Sequence, residues 1–451
     1  MMKKKRTEKN SVFSRHGTGS LPVRICVFFL AGLVFAVSGA KDAGLFAGDT
    51  TGVFTDESAN GFISASVYGF AGEPSAPETG SRAAYLMDAE TAAPLYEKNS
   101  GEEIPPASLT KLVTIHLALM EVETGRRRLD ETVALPPAAW ARNQPPRSSL
   151  MFLGPGQTVT LRELLMGLAV SSGNDAAAAV ALHLAPGIDE FAAMMNNEFR
   201  SLNLFKTHFV EPSGISEYNS TTAKEFALFC RAYIALHPET LAFLHSAPSF
   251  AYPKAENMPL IYRADPGTRV QKNRNPLLGV VPGVDGLKTG YIDEAGYNIA
   301  LTAERDGTRL IAVILGAPAT GSAGERIRNA DGTALLEWGF AHFKTLRPLL
   351  DAPAPARVWK GARNTAAVTF AEPLPFTVQA HRGRRLFAAI EYLDPLIAPL
   401  PAGSPAGRAV LSDSAGELRV IPLVTAEEVT RGHFFRRLWD SIHLFFREVF
   451  R

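Results

Sequence analysis

Strand-like segments stand on both sides of a long helical stretch, and this order constrains the fold more than any other feature of the chain. An apolar strand pattern begins at Ala83, and helical periodicity dominates from Leu161 to His237. Strand patterns return at Gly286–Tyr291, Tyr297–Glu304 and Arg309–Ala317, before a closing helix predicted over Thr333–Phe343. The early and late strands each need partners, so the sequence predicts one α/β unit in which an antiparallel sheet encloses a helical middle.

Three short polar motifs occur in order along this unit: Ser108-Leu109-Thr110-Lys111, Ser172-Gly173-Asn174 and Lys288-Thr289-Gly290. Each motif is weak by itself, because the first pattern also occurs at Ser38 and the second at Ser58 and Ser201. The first two of these copies lie in the N-terminal region that precedes the predicted unit, and Ser201 has no companion motif at a suitable position. The Lys-Thr-Gly triplet occurs once, which favours the retained set.

The first motif has the composition of an activated nucleophile. Ser108 opens a predicted helix that runs to about Glu121, and Lys111 lies one turn further on, on the same helix face. A serine hydroxyl needs an adjacent base, and Lys111 can be that base only if its ammonium is destabilised. Burial, the helix dipole and nearby Lys288 would each favour the neutral amine. The structural alternative, a serine N-cap beside a surface lysine, stays open at this point.

The other two motifs can bind a substrate. In the predicted strand, Lys288 attracts a carboxylate, the Thr289 hydroxyl can bond it, and Gly290 lets a substrate backbone approach. Ser172 can relay a proton to a leaving amine, and Asn174 can orient a substrate amide. The alternatives are a polar edge strand for the third motif and caps of the following alanine-rich helix for the second.

Taken together, the motifs and their surroundings resemble one known family. The matching segments are Pro105–Lys111, Thr207–Val210, Asn273–Asn275, Asp285–Gly290, Ala295–Asn298 and Trp338–Phe340. The chain is similar to the low-molecular-mass penicillin-binding proteins, the D-alanyl-D-alanine carboxypeptidases whose peptidase unit is called S11. The resemblance implies a transpeptidase/β-lactamase-like domain over residues 83–350. It also implies removal of the terminal D-alanine from peptidoglycan stem peptides through a serine acyl-enzyme, with β-lactam antibiotics as inhibitors.

The resemblance also implies roles for individual residues. Ser108 would be the acylated nucleophile with Lys111 as its base, and Ser172 and Asn174 would form the second motif. The remaining positions would bind substrate: Lys288, Thr289, Gly290, Tyr291, Arg274 and Arg328. Among these, Arg328 falls where the family places an arginine near the substrate carboxylate, and the backbone N–H groups of Ser108 and Tyr291 would form the oxyanion hole. Many relatives carry histidine where this chain has Tyr291, which leaves the side chain's effect on deacylation open.

Two other interpretations remain at the sequence level. A β-lactamase shares the fold, but it needs a carboxylate to activate the deacylating water, and neither Glu198 nor Glu211 lies in the expected Glu-x-x-Leu-Asn pattern. A non-catalytic envelope protein that kept the fold is the second alternative. No cofactor is expected, since Cys26, Cys230 and the scattered histidines match no metal spacing. A net charge of +1 gives no signal for nucleic acid.

The N-terminus has the pattern of an export signal. A basic segment ends at Arg24, the apolar run Ile25–Val37 follows, and Ser38–Ala40 supplies small residues for cleavage. We therefore expect a signal peptide over residues 1–40, with an uncleaved anchor as the alternative, and a flexible leader over 41–82. Either way the remainder is expected outside the cytoplasmic membrane, at the periplasmic face of the inner membrane.

The C-terminal part changes character twice. Residues 351–428 carry short strand patterns between Gly, Pro and Asp turns, which predicts a small all-β domain. Residues 429–451 then predict an amphipathic helix, whose apolar face comprises Phe434, Phe435, Leu438, Trp439, Ile442, Phe445, Phe446, Val449 and Phe450. Five arginines against two acids between Arg431 and Arg451 favour an anionic membrane surface as partner. The alternative is a helix docked on the β domain or on another protein.

Overall fold

The computed structural model describes residues 75–318 and 321–450. The predicted signal peptide and residues 41–74 of the predicted leader lie outside the described residues. The helices are α1 (Thr110–Glu123), α2 (Leu161–Met166), α3 (Asn174–Leu184), α4 (Ile188–Ser201), α5 (Ala223–Leu236), α6 (Ser322–His342) and α7 (Phe434–Val449).

The strands of the first part of the chain are β1 (Ala83–Asp88), β2 (Pro94–Lys98), β3 (Thr132–Val133), β4 (Val159–Thr160), β5 (Ser249–Tyr252), β6 (Arg269–Lys272), β7 (Val284–Ile292), β8 (Gly296–Arg305) and β9 (Thr308–Ala317). The later strands are β10 (Phe343–Leu346), β11 (Ala356–Trp359), β12 (Thr365–Ala366), β13 (Val368–Phe370), β14 (Phe376–Gln379), β15 (Phe387–Tyr392), β16 (Leu396–Ile397), β17 (Pro405–Asp413) and β18 (Gly416–Thr425).

The central sheet joins strands from both ends of the first unit, as the sequence predicts. Its order is β2-β1-β9-β8-β7, and each neighbouring pair is antiparallel. Alternate residues of β1 and β9 face opposite layers, because side chains alternate along a strand. Tyr85 and Val313 pack against the helical middle, whereas Leu86 and Ile314 share a core with α6. The expected fold, an antiparallel sheet with a helical middle, is confirmed.

The structure differs from the predicted element bounds in three places. The helix predicted to open at Ser108 begins at Thr110, because Ala107–Leu109 forms a 3-10 turn with Ala107 in a left-handed conformation at φ 50°. The closing helix α6 is longer than predicted. The last part of the predicted leader is packed rather than free, since the backbone N–H and hydroxyl of Ser81 both donate to Asp331.

The β domain packs around its own apolar core. Strands β13, β18, β17 and β15 form a four-stranded sheet, and residues such as Phe376, Leu411 and Ile421 are buried within the domain. A buried polar contact connects this domain to the central sheet, because the carboxylate of Asp88 accepts hydrogen bonds from the hydroxyls of Thr345 and Thr377. Strand β1 is thereby tied to β10 and β14.

The terminal helix α7 has no buried residue. Its apolar side chains are exposed as a group, with Phe435 76% and Trp439 63% exposed. Within residues 75–318 and 321–450, no helix is long and apolar enough to cross a membrane.

Candidate active site

Ser108 and Lys111 meet at the start of α1. The Nζ atom of Lys111 lies 2.9 Å from the Oγ atom of Ser108 and donates to the carbonyl oxygen of Ser213 at 2.5 Å. Lys111 is fully buried, and burial lowers its pKa to about 7, with Glu211 opposing the shift and Arg274 adding to it. Near neutral pH, a substantial fraction of Lys111 is therefore an amine that can accept the Ser108 proton.

The structural alternative for this motif does not fit the geometry. The helix N-cap is Leu109, the 3-10 turn before it begins after Pro106, and neither cap makes a side-chain hydrogen bond. Lys111 is fully buried and is therefore not a surface lysine. Because Ser108 does not satisfy the helix terminus, its hydroxyl is left to interact with Lys111.

Ser172 and Lys288 form the second close pair. The Nζ atom of Lys288 donates to the Oγ atom of Ser172 at 2.9 Å and to the carbonyl oxygen of Thr289 at 3.0 Å. Lys288 is 1% exposed, and its pKa is well below the usual range because of burial first and the charges of Lys111, Arg274 and Arg328 next. The strand β7 is an edge strand, but the lysine points into the protein rather than to solvent.

Asn174 begins α3, and it organises the opposite wall of the site. Its side-chain amide donates to the hydroxyl of Ser148 at 3.1 Å, and its backbone N–H donates to the carbonyl of Ser149 at 2.8 Å. The following residue, Asp175, was not singled out from the sequence. Its buried carboxylate accepts backbone N–H bonds from Met151, Phe152 and Leu153. Asp175 therefore fixes the residues that directly follow the Ser148–Ser149 segment.

Gly290 permits β7 to approach the turn that carries Ser108. A Cβ atom at this position would lie 2.9 Å from the carbonyl oxygen of Pro106 and 3.0 Å from the backbone nitrogen of Ser108. The next residue, Tyr291, is partly exposed, and its hydroxyl donates to Asp293 at 2.6 Å. The backbone of Ser108 and that of the Gly290–Tyr291 segment therefore lie side by side, as an oxyanion hole requires.

The two arginines suggested by the resemblance contribute charge at a distance. The guanidinium of Arg274 donates to the carbonyl of Ser171 at 3.0 Å. Arg328 is buried on α6, where it donates to Asn329 at 2.8 Å and pairs with Glu325 at 3.2 Å. Neither guanidinium is hydrogen-bonded to Lys288 or to Thr289, whose hydroxyl faces the carbonyl oxygen of Arg274 at 3.5 Å.

The side chains of the two glutamates considered as deacylating bases make other contacts. Glu198 faces His116 at 3.2 Å. The carboxylate of Glu211 accepts backbone N–H bonds from Ser213 and Gly214, so it shapes the loop whose carbonyl holds Lys111. The importance of this loop was missed from the sequence, because its contact with Lys111 spans 102 positions along the chain. Among the described residues, no group of three or more His, Cys, Asp or Glu side chains could hold a metal ion.

A cavity of about 280 Å³ opens beside Ser108, between the Ser148–Ser149 segment and the end of β7. A partly exposed serine that lines a cavity, a buried lysine base and a second buried lysine on the adjoining strand define a serine acyl-transfer enzyme.

Comparison with known proteins identifies the family. A model of the D-alanyl-D-alanine carboxypeptidases matches residues 71–319, and one of the penicillin-binding protein 5 C-terminal domain matches residues 351–431. The D-alanyl-D-alanine carboxypeptidase DacC of Escherichia coli (strain K12) is 33% identical over 382 residues, which cover 83% of this chain and 90% of that protein. The chain belongs to the D-alanyl-D-alanine carboxypeptidase family, peptidase S11.

Solved structures agree with this assignment. Penicillin binding protein 5 from Haemophilus influenzae matches with a TM-score of 0.70 at 28% identity, covering 80% of this chain and 100% of that chain. Penicillin-binding protein D2 from Listeria monocytogenes, in its cefotaxime-bound form, matches with a TM-score of 0.50 at 31% identity, covering 59% of this chain and 100% of that chain. The family, fold class and enzyme class predicted from the sequence are confirmed.

Proposed function

We propose that this protein removes the terminal D-alanine from peptidoglycan stem peptides through an acyl-enzyme at Ser108. The observation that carries the proposal is Lys111, a fully buried amine 2.9 Å from the serine hydroxyl whose pKa is lowered to about 7. Its membership of the carboxypeptidase family supplies the substrate class.

Acylation begins when the neutral Lys111 amine takes the hydroxyl proton of Ser108 and the oxygen attacks the carbonyl carbon of the penultimate D-alanine. Negative charge then develops on the carbonyl oxygen, where the backbone N–H groups of Ser108 and Tyr291 can stabilise it. Gly290 supports this step, since its missing side chain lets β7 lie against the serine turn.

Release of D-alanine breaks the C–N bond and requires a proton on the leaving amine. Ser172 is placed to deliver it, because its hydroxyl is held by Lys288 at 2.9 Å. The proton that Lys111 took from Ser108 replaces the one that Ser172 gives, so Lys111 is again a neutral amine. Lys288 and Thr289 bind the carboxylate of the departing residue. Arg274 and Arg328 add positive charge close enough to act on Lys288. Water then attacks the Ser108 ester while Lys111 takes the water proton. The ester C–O bond breaks as Lys111 returns this proton to the Ser108 oxygen, which frees the shortened peptide.

The reaction is tested by incubating the purified protein with a pentapeptide that ends in D-Ala-D-Ala and measuring free D-alanine. The wild type should release D-alanine, and Ser108→Ala should release none. Ser201→Ala is the matched control, because Ser201 belongs to a copy of the second motif pattern but lies at the end of α4. Release of D-alanine by Ser108→Ala at the wild-type rate would contradict the proposal.

We further propose that the protein is exported and that residues 431–451 bind the surface of the inner membrane from the periplasmic side. Two observations support this arrangement. The apolar side chains of α7 are exposed together, and the contacts between α7 and the β domain use the polar side of the helix. Asp440 accepts a hydrogen bond from the backbone N–H of Lys360, and Arg447 pairs with Asp394 at 2.8 Å.

This contact pattern bears on the alternative of a helix docked on the β domain. A docked amphipathic helix buries its apolar face, because that burial provides most of its stability. Here the helix lies against the β domain through Asp440, Arg447 and Arg436, which bonds to Asn364. The apolar face therefore remains available to lipid, and the β domain would act as a stalk that holds the Ser108 cleft toward the cell wall.

A further inference from the structure

The β domain leaves one edge of its four-stranded sheet open. Strand β15 is the last strand in the order β13-β18-β17-β15, and it pairs with β17 along its whole length without a bulge. Among residues 75–318 and 321–450, no strand pairs with the other side of β15. Every residue from Phe387 to Glu391 is exposed, and these side chains alternate between the two faces of the sheet. The strand therefore presents a free hydrogen-bonding edge together with exposed side chains.

The free backbone groups of this edge can be assigned to individual residues. The backbone N–H of Leu393 donates to the carbonyl oxygen of Ala406 in β17 at 2.9 Å, and this bond continues the register of the β15–β17 pair. In an antiparallel pair, residues that bond to the partner strand alternate with residues that point away from it. Counting back from Leu393, the residues that direct their N–H and C=O groups to the open edge are Tyr392, Ile390 and Ala388.

Edge strands of natural proteins are usually protected against further pairing, and β15 lacks the common forms of protection. It contains no lysine and no proline. Its single charged side chain, Glu391, is already paired with Arg408 at 2.6 Å. The opposite edge strand of the same sheet, β13, is protected by its length of only three residues. Strand β15 can therefore accept another strand.

The exposed apolar side chains at this edge are symmetric about Ile390. Phe387 lies three positions before it and Leu393 three positions after it, and Phe387, Ile390 and Leu393 are 49%, 40% and 41% exposed. A second copy of β15 that pairs antiparallel, with a two-fold axis at Ile390, sets Phe387 opposite Leu393 and Ile390 opposite itself. Glu391 then lies opposite Ala389 rather than opposite a second glutamate.

Neighbouring registers lose this match. An axis at Ala389 sets Phe387 opposite the charged Glu391. An axis at Glu391 sets two glutamates opposite each other, which is destabilising for a cross-strand pair. The side chains of β15 therefore favour a second copy of the same strand, in the single register centred on Ile390.

We propose that the open edge of β15 is an interface between two copies of this chain, which pair antiparallel about Ile390 and join their four-stranded sheets into one continuous sheet. The interface lies in the β domain, apart from the Ser108 cleft and from the apolar face of α7. The inference goes beyond the proposed carboxypeptidase reaction and does not depend on it.

Oxidative cross-linking of single-cysteine variants of the full chain tests the register. Ile390→Cys places two Cα atoms about 5.5 Å apart at the axis, within the reach of a disulfide. Ala388→Cys is the matched control on the same strand, because its two copies lie about 14 Å apart in the same dimer. Ile390→Cys should give disulfide-linked dimers, and Ala388→Cys should give no more than the wild type, whose own cysteines set the background. Equal cross-linking of the two variants, or none of Ile390→Cys, would overturn the proposal.

Sedimentation velocity of the full chain in a non-ionic detergent measures the association without an introduced disulfide. The wild type should form a dimer as its concentration rises. Ile390→Lys should weaken this dimer by about tenfold or more, because two ammonium groups then face each other at the axis. Thr369→Lys is the matched control, since Thr369 is exposed on the opposite edge strand β13, and it should dimerise like the wild type.

Replacing Phe435 and Phe446 together by Glu distinguishes this interface from association through α7. The proposal requires that this double variant keeps the dimer and that Ile390→Lys loses it, while both keep penicillin labelling. If Ile390→Lys loses labelling as well, it is misfolded and the cross-linking result decides. A wild type that stays monomeric, or a dimer that is lost in the α7 variant and kept in Ile390→Lys, would overturn the proposal.

Discussion

Lys111 occupies a fully buried position whose neighbours come from distant parts of the chain. Ser213 contributes a carbonyl oxygen, Glu211 contributes a negative charge, and Arg274 contributes a positive one. Burial is the largest influence and favours the neutral amine. The chemistry of this residue is therefore set by packing rather than by the motif that contains it.

The rate of acylation should follow the protonation of Lys111. Since the amine is the active form and its pKa is about 7, kcat/KM for penicillin acylation should rise about tenfold per pH unit below 7 and level off above it. Glu211 raises this pKa, so Glu211→Gln should move the midpoint to lower pH, whereas exposed Glu217→Gln should not. Rates that do not change across about pH 5 to 9 would contradict the role of Lys111.

At the residue scale the sequence locates the three motifs, and the structure brings Ser108, Lys111, Ser172 and Lys288 together through short contacts. The sequence alone could not predict that Lys111 is buried, because Ser213 lies 102 positions away and belongs to no motif.

Among the secondary-structure elements, β7 and the serine turn show the closest approach in the site. Gly290→Ala would place a Cβ atom within 3.0 Å of the Ser108 backbone nitrogen and the Pro106 oxygen, so the strand and turn must separate. We expect penicillin acylation to fall by about 100-fold, the size of losing one oxyanion-hole donor. Stopped-flow acylation kinetics would measure this loss.

Gly154→Ala provides the matched control for that substitution. A Cβ atom at Gly154 would meet nothing closer than the side-chain amide of Gln157 at 3.8 Å, so the fold and the acylation rate should both be kept. Wild-type acylation by Gly290→Ala would show that the approach of β7 does not matter for the reaction.

Helix α6 shows why element bounds were harder to predict than element order. The sequence predicts its second half, where Leu335 and Leu336 give an apolar period. The first half buries Arg328 and Asp331 instead, and these residues are satisfied by Glu325, Asn329 and the Ser81 segment. A buried face built from charged side chains leaves no hydrophobic period to detect.

For the whole molecule, the sequence predicted the apolar face of α7 but not how its polar side lies against the β domain. The contacts of Asp440 and Arg447 join positions 80 and 53 residues apart. Such long-range contacts, like that of Asp88 with Thr377, cannot be inferred from periodicity. They combine the catalytic domain, the β domain and the terminal helix into one connected structure.

Deletion of residues 431–451 should release the protein from the membrane into the soluble periplasmic fraction, while penicillin labelling is kept. The reason is that the deletion removes the exposed aromatic face without touching the Ser108 cleft. Replacing Phe435 and Phe446 together by Glu should have the same effect, whereas Ser441→Glu on the polar side should not. The membrane role is wrong if the truncated protein remains with the membrane after its signal peptide has been cleaved.

The central claim is that Ser108 carries the acyl group, and intact-mass analysis after incubation with benzylpenicillin tests it most directly. The wild type should gain the mass of one penicillin, peptide mapping should place the adduct on Ser108, and the adduct should decay slowly. Ser108→Ala should gain no mass and keep the same thermal unfolding. An adduct of equal yield on Ser108→Ala, or a wild type that gains no mass, would contradict the account.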